Sequence, residues 1–261
     1  MLQFGKIAIV GAGNVAYTLC KVLKDKEINP YCIYVRDAAK AEKMHRDLGV
    51  EAVSDYEKVL QSDLTIIAVN DDSISEVASH LIDYKGLVVH TSGTKPSAVL
   101  NRTGRYGVFY PLQTMSKNRE ISFDQVPLLV YANSDEDLTK LKEFASIFSK
   151  KSVVCDDEQR KAIHLAAVYV SNFTNVMLGI GDGLLQEKGL SLDIMKPLVM
   201  EMMEKSFVKS PKNALTGPAS RGDFATIGEH EKMLSYHPDE LAIYMILTDY
   251  IVEKYHKNEE L

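Results

Sequence analysis

Short, unbroken apolar runs alternate with amphipathic stretches through the first three-fifths of the chain. Residues 6–10, 32–35, 64–69, 87–90, 108–110, 128–131 and 152–155 are rich in Val, Ile and Leu and read as buried strands. Between them, residues 15–24, 38–48, 73–82 and 135–148 place apolar side chains three and four apart, the spacing of a helix with one buried face. Strands alternating with helices predict a doubly wound, mostly parallel α/β sheet of the Rossmann type, over residues 1–155. Beyond residue 156 the strand signals stop. Helical patterns over 158–185, 192–209, 224–234 and 240–255 predict an all-helical second domain, 156–261, with Thr216-Gly217-Pro218 as a turn inside it.

The first strand ends in Gly11-Ala12-Gly13-Asn14-Val15-Ala16, and this junction carries the clearest chemistry. Gly11 permits a tight turn, Gly13 lets backbone approach a ligand, and the small Ala16 lets the helix lie close on the strand. The free amides and positive end of that helix suit a dinucleotide pyrophosphate. Gly11, Ala12, Gly13, Asn14 and Val15 are therefore candidate cofactor contacts, with Val69, Asn70 and Thr91 at the ends of later strands. The second strand ends in Val35-Arg36-Asp37. An arginine fork there suits a ribose 2′-phosphate, with Lys40 one turn on, so NADP(H) is favoured over NAD(H); the counter-reading makes Asp37 the ribose-binding acid.

Bulk properties narrow the partners. The formal net charge of −6 and the scatter of Lys and Arg give no footprint for nucleic acid. Cys20, Cys32 and Cys155 are far apart and outside any CxxC spacing, so buried thiols in a reducing cytoplasm are expected rather than disulfides or a metal site. The first strand begins a few residues after Met1, and no apolar run approaches the ~20 residues of a membrane helix, so neither a signal peptide nor a membrane partner is expected. The charged end after Tyr255 is expected to fray.

Ligands in such sheets bind beyond the carboxyl ends of the strands. The segments there are Asn70-Asp-Asp-Ser73, with Ser73 also a plausible helix N-cap, His90-Thr91-Ser92-Gly93, and Tyr110-Pro-Leu-Gln113-Thr-Met-Ser116. In the long helix after residue 158, about 100° of rotation per residue puts His164, Ser171, Asn175 and Asp182 on one stripe, with Asn172 at its edge. That stripe lines a substrate cleft or simply faces water. In the run Thr216–Asp223, Arg221 offers a bidentate fork for a carboxylate and Asp223 is most simply an N-cap; His230, two turns on, is either catalytic or an ordinary surface or core histidine. Met195, Met200, Met202 and Met203 read first as core and second as a pliable subunit interface.

On the Gly11–Ala16 motif with Asn14, the His90–Gly93 segment, Pro111-Leu-Gln113-Thr114, the His164…Ser171-Asn172 helix and the Gly217–His230 stretch, the chain resembles a family of Rossmann-like NADP oxidoreductases. That family is similar to pyrroline-5-carboxylate reductase and, more distantly, to the β-hydroxyacid dehydrogenases and ketopantoate reductase. Two departures stand out. Relatives carry a histidine before Pro-Leu-Gln where this chain has Tyr110, and the lysine that β-hydroxyacid dehydrogenases place one turn before their asparagine would fall on Val168 if Asn172 is that asparagine. Without the ammonium donor an imine is a better substrate than a ketone, because hydride transfer discharges a cation instead of creating an alkoxide. The expectation is an NADP(H)-dependent reductase of a small imine or carbonyl compound. Ser92, Tyr110, His164 and Asn172 would position the substrate, Arg221 or His230 would supply charge, and the helical domain would form a homodimer. Alternatives are a non-catalytic NADP(H)-binding sensor and pyrroline-5-carboxylate reductase itself.

Overall fold

The computed structural model describes residues 4–116 and 121–256. Two compact units divide the chain, Met1–Val170 and Ser171–Leu261. The first is built on β1 (Ile7–Val10), β2 (Cys32–Tyr34), β3 (Ala52–Val53), β4 (Leu64–Ile67), β5 (Leu87–His90), β6 (Tyr106–Pro111), β7 (Leu128–Ala132) and β8 (Ser152–Val154). They form one sheet in the order β3-β2-β1-β4-β5-β6-β7-β8. All pairs are parallel except β6 with β7.

Because β1, β4 and β5 are buried on both faces, alternate residues of each strand feed opposite cores. Ile7, Ile9, Leu64, Ile66, Leu87 and Val89 join one core, which also holds the buried faces of α1 (Asn14–Asp25), α2 (Ala38–Leu48) and α4 (Asp135–Phe148). Ala8, Val10, Ile67 and Val88 join the other, with α3 (Ile74–Ser79). This explains why the strands read as unbroken apolar runs. Cys20, Cys32 and Cys155 are free and buried, as expected of structural thiols.

The two-residue β3 gave no apolar run to see, and residues 97–103 form a 3₁₀ helix that the sequence pattern did not suggest. Ser73 stands at the N-cap of α3 but makes no capping bond, because the preceding residues are already wound as a 3₁₀ turn, Asp71–Ser73. Helix α5 (Asp157–Ala167) starts with a full capping box between Asp156 and Gln159. It belongs to the first unit, so the break between units falls later than the end of the last strand.

A π-helical segment, Val168–Phe173, follows α5 and leads into α6 (Thr174–Gln186). The uniform α-helical rotation that aligned His164 with Ser171, Asn175 and Asp182 therefore does not hold, since a π turn takes more residues per revolution. Asp157–Gln186 is 30 residues of helix, long and apolar enough by length and composition to cross a membrane. That corrects the expectation that no run qualifies: Gly, Ser and Asn interrupt the apolar pattern to the eye but add little charge.

The second unit continues with α7 (Lys196–Lys209), α8 (Pro211–Ala214), α9 (Pro218–Arg221), α10 (Phe224–Met233) and α11 (Pro238–Ile251). Helix α7 has no buried residue, and Met200 and Met202 are exposed, so the methionines are not core as first read. A helix that buries nothing within its own chain leaves its apolar side chains bare. The chain end from residue 257, expected to fray, lies outside the described residues.

Candidate functional site

Chain order reverses between β1 and β4, and the segments after both strands meet there. Gly11 follows β1 at φ +129°, and its amide donates to the Tyr34 carbonyl at 3.0 Å. A Cβ on Gly11 would lie 2.2 Å from the Ala68 carbonyl oxygen, so only glycine lets the β1 turn pass this close to the end of β4. Gly13 is the N-cap of α1, and a Cβ there would meet nothing within 4 Å. No side chain caps α1 and no acid lies in its first turn, which leaves its positive end open to an anion.

These elements border a cavity of about 770 Å³ whose lining lies entirely within the first unit. Gly11, Ala12, Gly13, Asn14, Val15, Arg36, Val69, Asn70 and Thr91 all line it, as do Ser92, Tyr110 and His164. Asn14 also has a local task, its side-chain amide donating to the Met115 carbonyl at 3.0 Å. The open amides, the glycine clearance and the cavity fit a dinucleotide, with Gly11–Val15 against the pyrophosphate.

One side of the cavity is formed after β2. The Asp37 carboxylate caps α2 by accepting the Lys40 amide at 2.9 Å. Arg36 is 84% exposed, with only a loose 3.9 Å ion pair to Glu76. Beside them Tyr34 stacks on Tyr56 at 4.2 Å between centroids, and Tyr56 on His80 at 4.5 Å. All three rings line the cavity.

At the other side, the Tyr110 hydroxyl and His164 Nδ1 are 3.0 Å apart, bringing the end of β6 against the last turn of α5. Gly93 fits between them: a Cβ there would stand 2.5 Å from His164 Nδ1 and 3.0 Å from Tyr110 Cζ. The loop carrying Gly93 is pinned to α5. Buried Arg160 donates to the Lys95 carbonyl and pairs with Asp157 at 2.8 Å, while Asp157 accepts the Ser97 amide at 2.9 Å. Burial, reinforced by the Asp71 carboxylate, pushes the Tyr110 phenol above its ordinary value, with Arg160 opposing.

Ser92 is already committed. Its hydroxyl accepts the amides of Thr94 and Lys95 at 3.1 and 3.0 Å and donates to Asp71 at 2.8 Å. His90, fully buried, accepts the Ser92 amide on Nδ1 at 3.1 Å. Burial first, and the charge of Arg160 second, push its pKa down to about 4, so the ring is neutral.

Asn172, Arg221 and His230 belong to the second unit and are not among the residues lining this cavity. Asn172 is exposed in the π segment, Arg221 ends α9, and His230 Nδ1 lies 2.9 Å from the Tyr244 hydroxyl. Asp223 is the N-cap of α10, accepting the Thr226 amide at 3.1 Å. Sequence reasoning missed Asp71, Tyr56 and His80. Asp71 follows β4 at the reversal point and was findable from that position, whereas nothing in their spacing links Tyr56 and His80 to the second strand.

Comparison with known proteins places the fold and the family. The family described as NADP oxidoreductase, coenzyme F420-dependent, matches residues 6–92, and a domain of unknown function (DUF2520) matches residues 126–251. A proposed NADP oxidoreductase from Bacteroides fragilis is 35% identical, covering 97% of this chain and 100% of its own, with a TM-score of 0.88. The chain belongs to this NADP oxidoreductase family. Two more distant structures share the oxidoreductase's fold. A pyrroline-5-carboxylate reductase from Coxiella burnetii is 16% identical over 94% of this chain and 98% of its own, TM-score 0.61. An imine reductase from Myxococcus stipitatus, in complex with NADP+, is 13% identical over 98% and 94%, TM-score 0.65. No curated protein matches the sequence.

His90 gives the site a pH signature. Its pKa of about 4 lies below the ordinary imidazole value of 6.5, so its stabilising effect is complete above pH 6.5 and is lost as the pH falls towards 4. The full effect is on the order of 3 kcal/mol. Urea unfolding between pH 7.5 and 4 should show a fall in stability that His90→Gln reduces by about that amount; an equally steep fall in the variant contradicts the assignment.

Proposed function

We propose that this oxidoreductase is an NADPH-preferring reductase of small imines or related carbonyl compounds. The carrying observation is the division of labour after β2, where Asp37 spends its carboxylate on capping α2 while Arg36 stands exposed beside the cavity. An exposed guanidinium, held only loosely by Glu76, and a committed acid favour a 2′-phosphate over a bare ribose hydroxyl. Gly11, Gly13 and the first amides of α1 hold the pyrophosphate, with Lys40 adding charge beside Arg36. Bound NADPH supplies the hydride.

The chain's own residues then bind and orient the acceptor. Tyr110 and His164 share a hydrogen bond at the opposite side of the cavity and can hold or pass a proton at the phenol oxygen. On the match of Asn172 to the asparagine of the β-hydroxyacid dehydrogenases, Val168 takes the place of the lysine that donates a proton in ketone reduction. A protonated imine does not require that donor during hydride transfer. The shared fold of the imine reductase and the pyrroline-5-carboxylate reductase supports this reading.

We also propose that the helical unit pairs with a second copy. Phe207, Val208 and Tyr236 are 91, 83 and 92% exposed, and Ile246 and Leu198 are also bare, more apolar surface than a soluble helical unit leaves in water.

Two measurements follow. NADPH oxidation should be seen with at least some of a panel of cyclic imines, and Arg36→Ala should weaken NADPH binding about tenfold or more while changing NADH binding by less than about threefold, the worth of one charge-assisted phosphate contact. Tight NADPH binding with no turnover on any imine or 2-oxo acid contradicts the enzyme reading and favours a sensor. Sedimentation equilibrium should give about twice the 29.1 kDa of one chain, and a monomer at micromolar concentration contradicts the pairing.

A further inference from the structure

Asp71 opens the 3₁₀ turn after β4 and lines the cavity together with Ser92, Gly93, Tyr110 and His164. One of its carboxylate oxygens is held from two sides: Oδ2 accepts the Ser92 hydroxyl at 2.8 Å and the Thr94 hydroxyl at 2.6 Å. Ser92 has no choice of direction, because its oxygen already accepts two backbone amides and its proton must point away from them. The other oxygen of Asp71, Oδ1, has no hydrogen bond within the described residues.

The charges around the cavity are segregated. Among the described residues, the lysine and arginine in its lining, Arg36 and Lys40, lie after β2 with Asp37, and Glu76 of α3 pairs with Arg36. Around the Tyr110–His164 pair, among the described residues, the lining contributes one permanent charge, that of Asp71. Arg160 lies behind this wall, fully buried and paired with Asp157, and is not part of the lining. Lys95 is turned to Asp72 at 3.2 Å. Burial first and the field of Asp71 second push the Tyr110 phenol up.

We propose that Asp71 is the anchor for a positive charge on the substrate, so that the site selects protonated imines and the ammonium products they give, and turns away 2-oxo acids. This rests on the reductase reading above and names the ionic class within it. An anionic carboxylate fixed by two hydroxyls attracts an iminium nitrogen in a partly desolvated cavity and repels a second carboxylate. Ser92 and Thr94 are positioning residues in this arrangement: they touch Asp71, and Asp71 touches the ligand.

The test is binding, measured separately from turnover. The full-length protein loaded with NADP+ is offered pyrrolidine, piperidine and tetrahydroisoquinoline, all cationic at pH 7, and their neutral oxygen-ring counterparts. Affinities are read by ligand-observed NMR titration. The wild type should bind the cations at least tenfold more tightly than the neutral partners. Asp71→Asn, which keeps an acceptor for both hydroxyls, should abolish that preference with its melting temperature little changed, and Thr94→Val should reduce it about threefold. Equal binding of cations and neutral rings, no binding of either by the wild type, or a preference that survives in Asp71→Asn overturns the proposal. Wild-type binding that prefers cations, without NADPH oxidation by the corresponding imines, would contradict the reductase reading while leaving the anchor in place.

Discussion

The close passage of Gly11 over the end of β4 is the constraint on which the site depends. With φ at +129° and an added Cβ only 2.2 Å from the Ala68 carbonyl, the β1 turn touches β4 backbone to backbone. That contact sets where α1 begins. Its first amides consequently open at the point where the sheet reverses its strand order, the one place in this topology where segments from both halves can face a single ligand. A side chain at Gly11 would lift the turn, shift α1 and remove the anion site without touching any residue that carries charge.

The rest of the first unit extends this arrangement in two directions. Beyond β2 the protein uses Asp37 as a cap and leaves Arg36 exposed beside the cavity, loosely paired with Glu76. Beyond β5 and β6 the structure is tighter. Arg160 and Asp157 tie the 91–97 loop to α5, and Gly93 lets His164 reach Tyr110. The buried neutral His90 beneath this loop carries out a structural task, holding the Ser92 amide so that the Ser92 hydroxyl can face Asp71.

Much of this was legible in the sequence because parallel strands are buried on both faces and announce themselves as apolar runs. The glycine turn, Arg36, the loops after β5 and β6, and the start of a helical second part all follow from that rhythm. What could not be read was geometry set by packing. The π segment at Val168–Phe173 has no sequence signature in residue type, so a stripe drawn with uniform α-helical rotation runs through residues that are not α-helical. Ser92, expected to position the substrate, has its hydroxyl committed to three protein partners, and Tyr56 and His80 join Tyr34 only through the fold. The methionines of α7 matched a core pattern because helical spacing of apolar residues does not tell which faces are covered.

The central claim is that the open N-terminus of α1 holds a dinucleotide phosphate, and Gly13 tests it directly. A side chain there meets nothing within 4 Å and the residue is the N-cap of α1, so Gly13→Asp should fold normally and even cap the helix. It would also place a carboxylate where the pyrophosphate belongs. Calorimetric titration with NADPH, alongside a thermal melt, should show saturable binding in the wild type, no detectable binding in Gly13→Asp, and an unchanged or raised melting temperature. NADPH binding of wild-type strength in a folded Gly13→Asp protein would contradict the account.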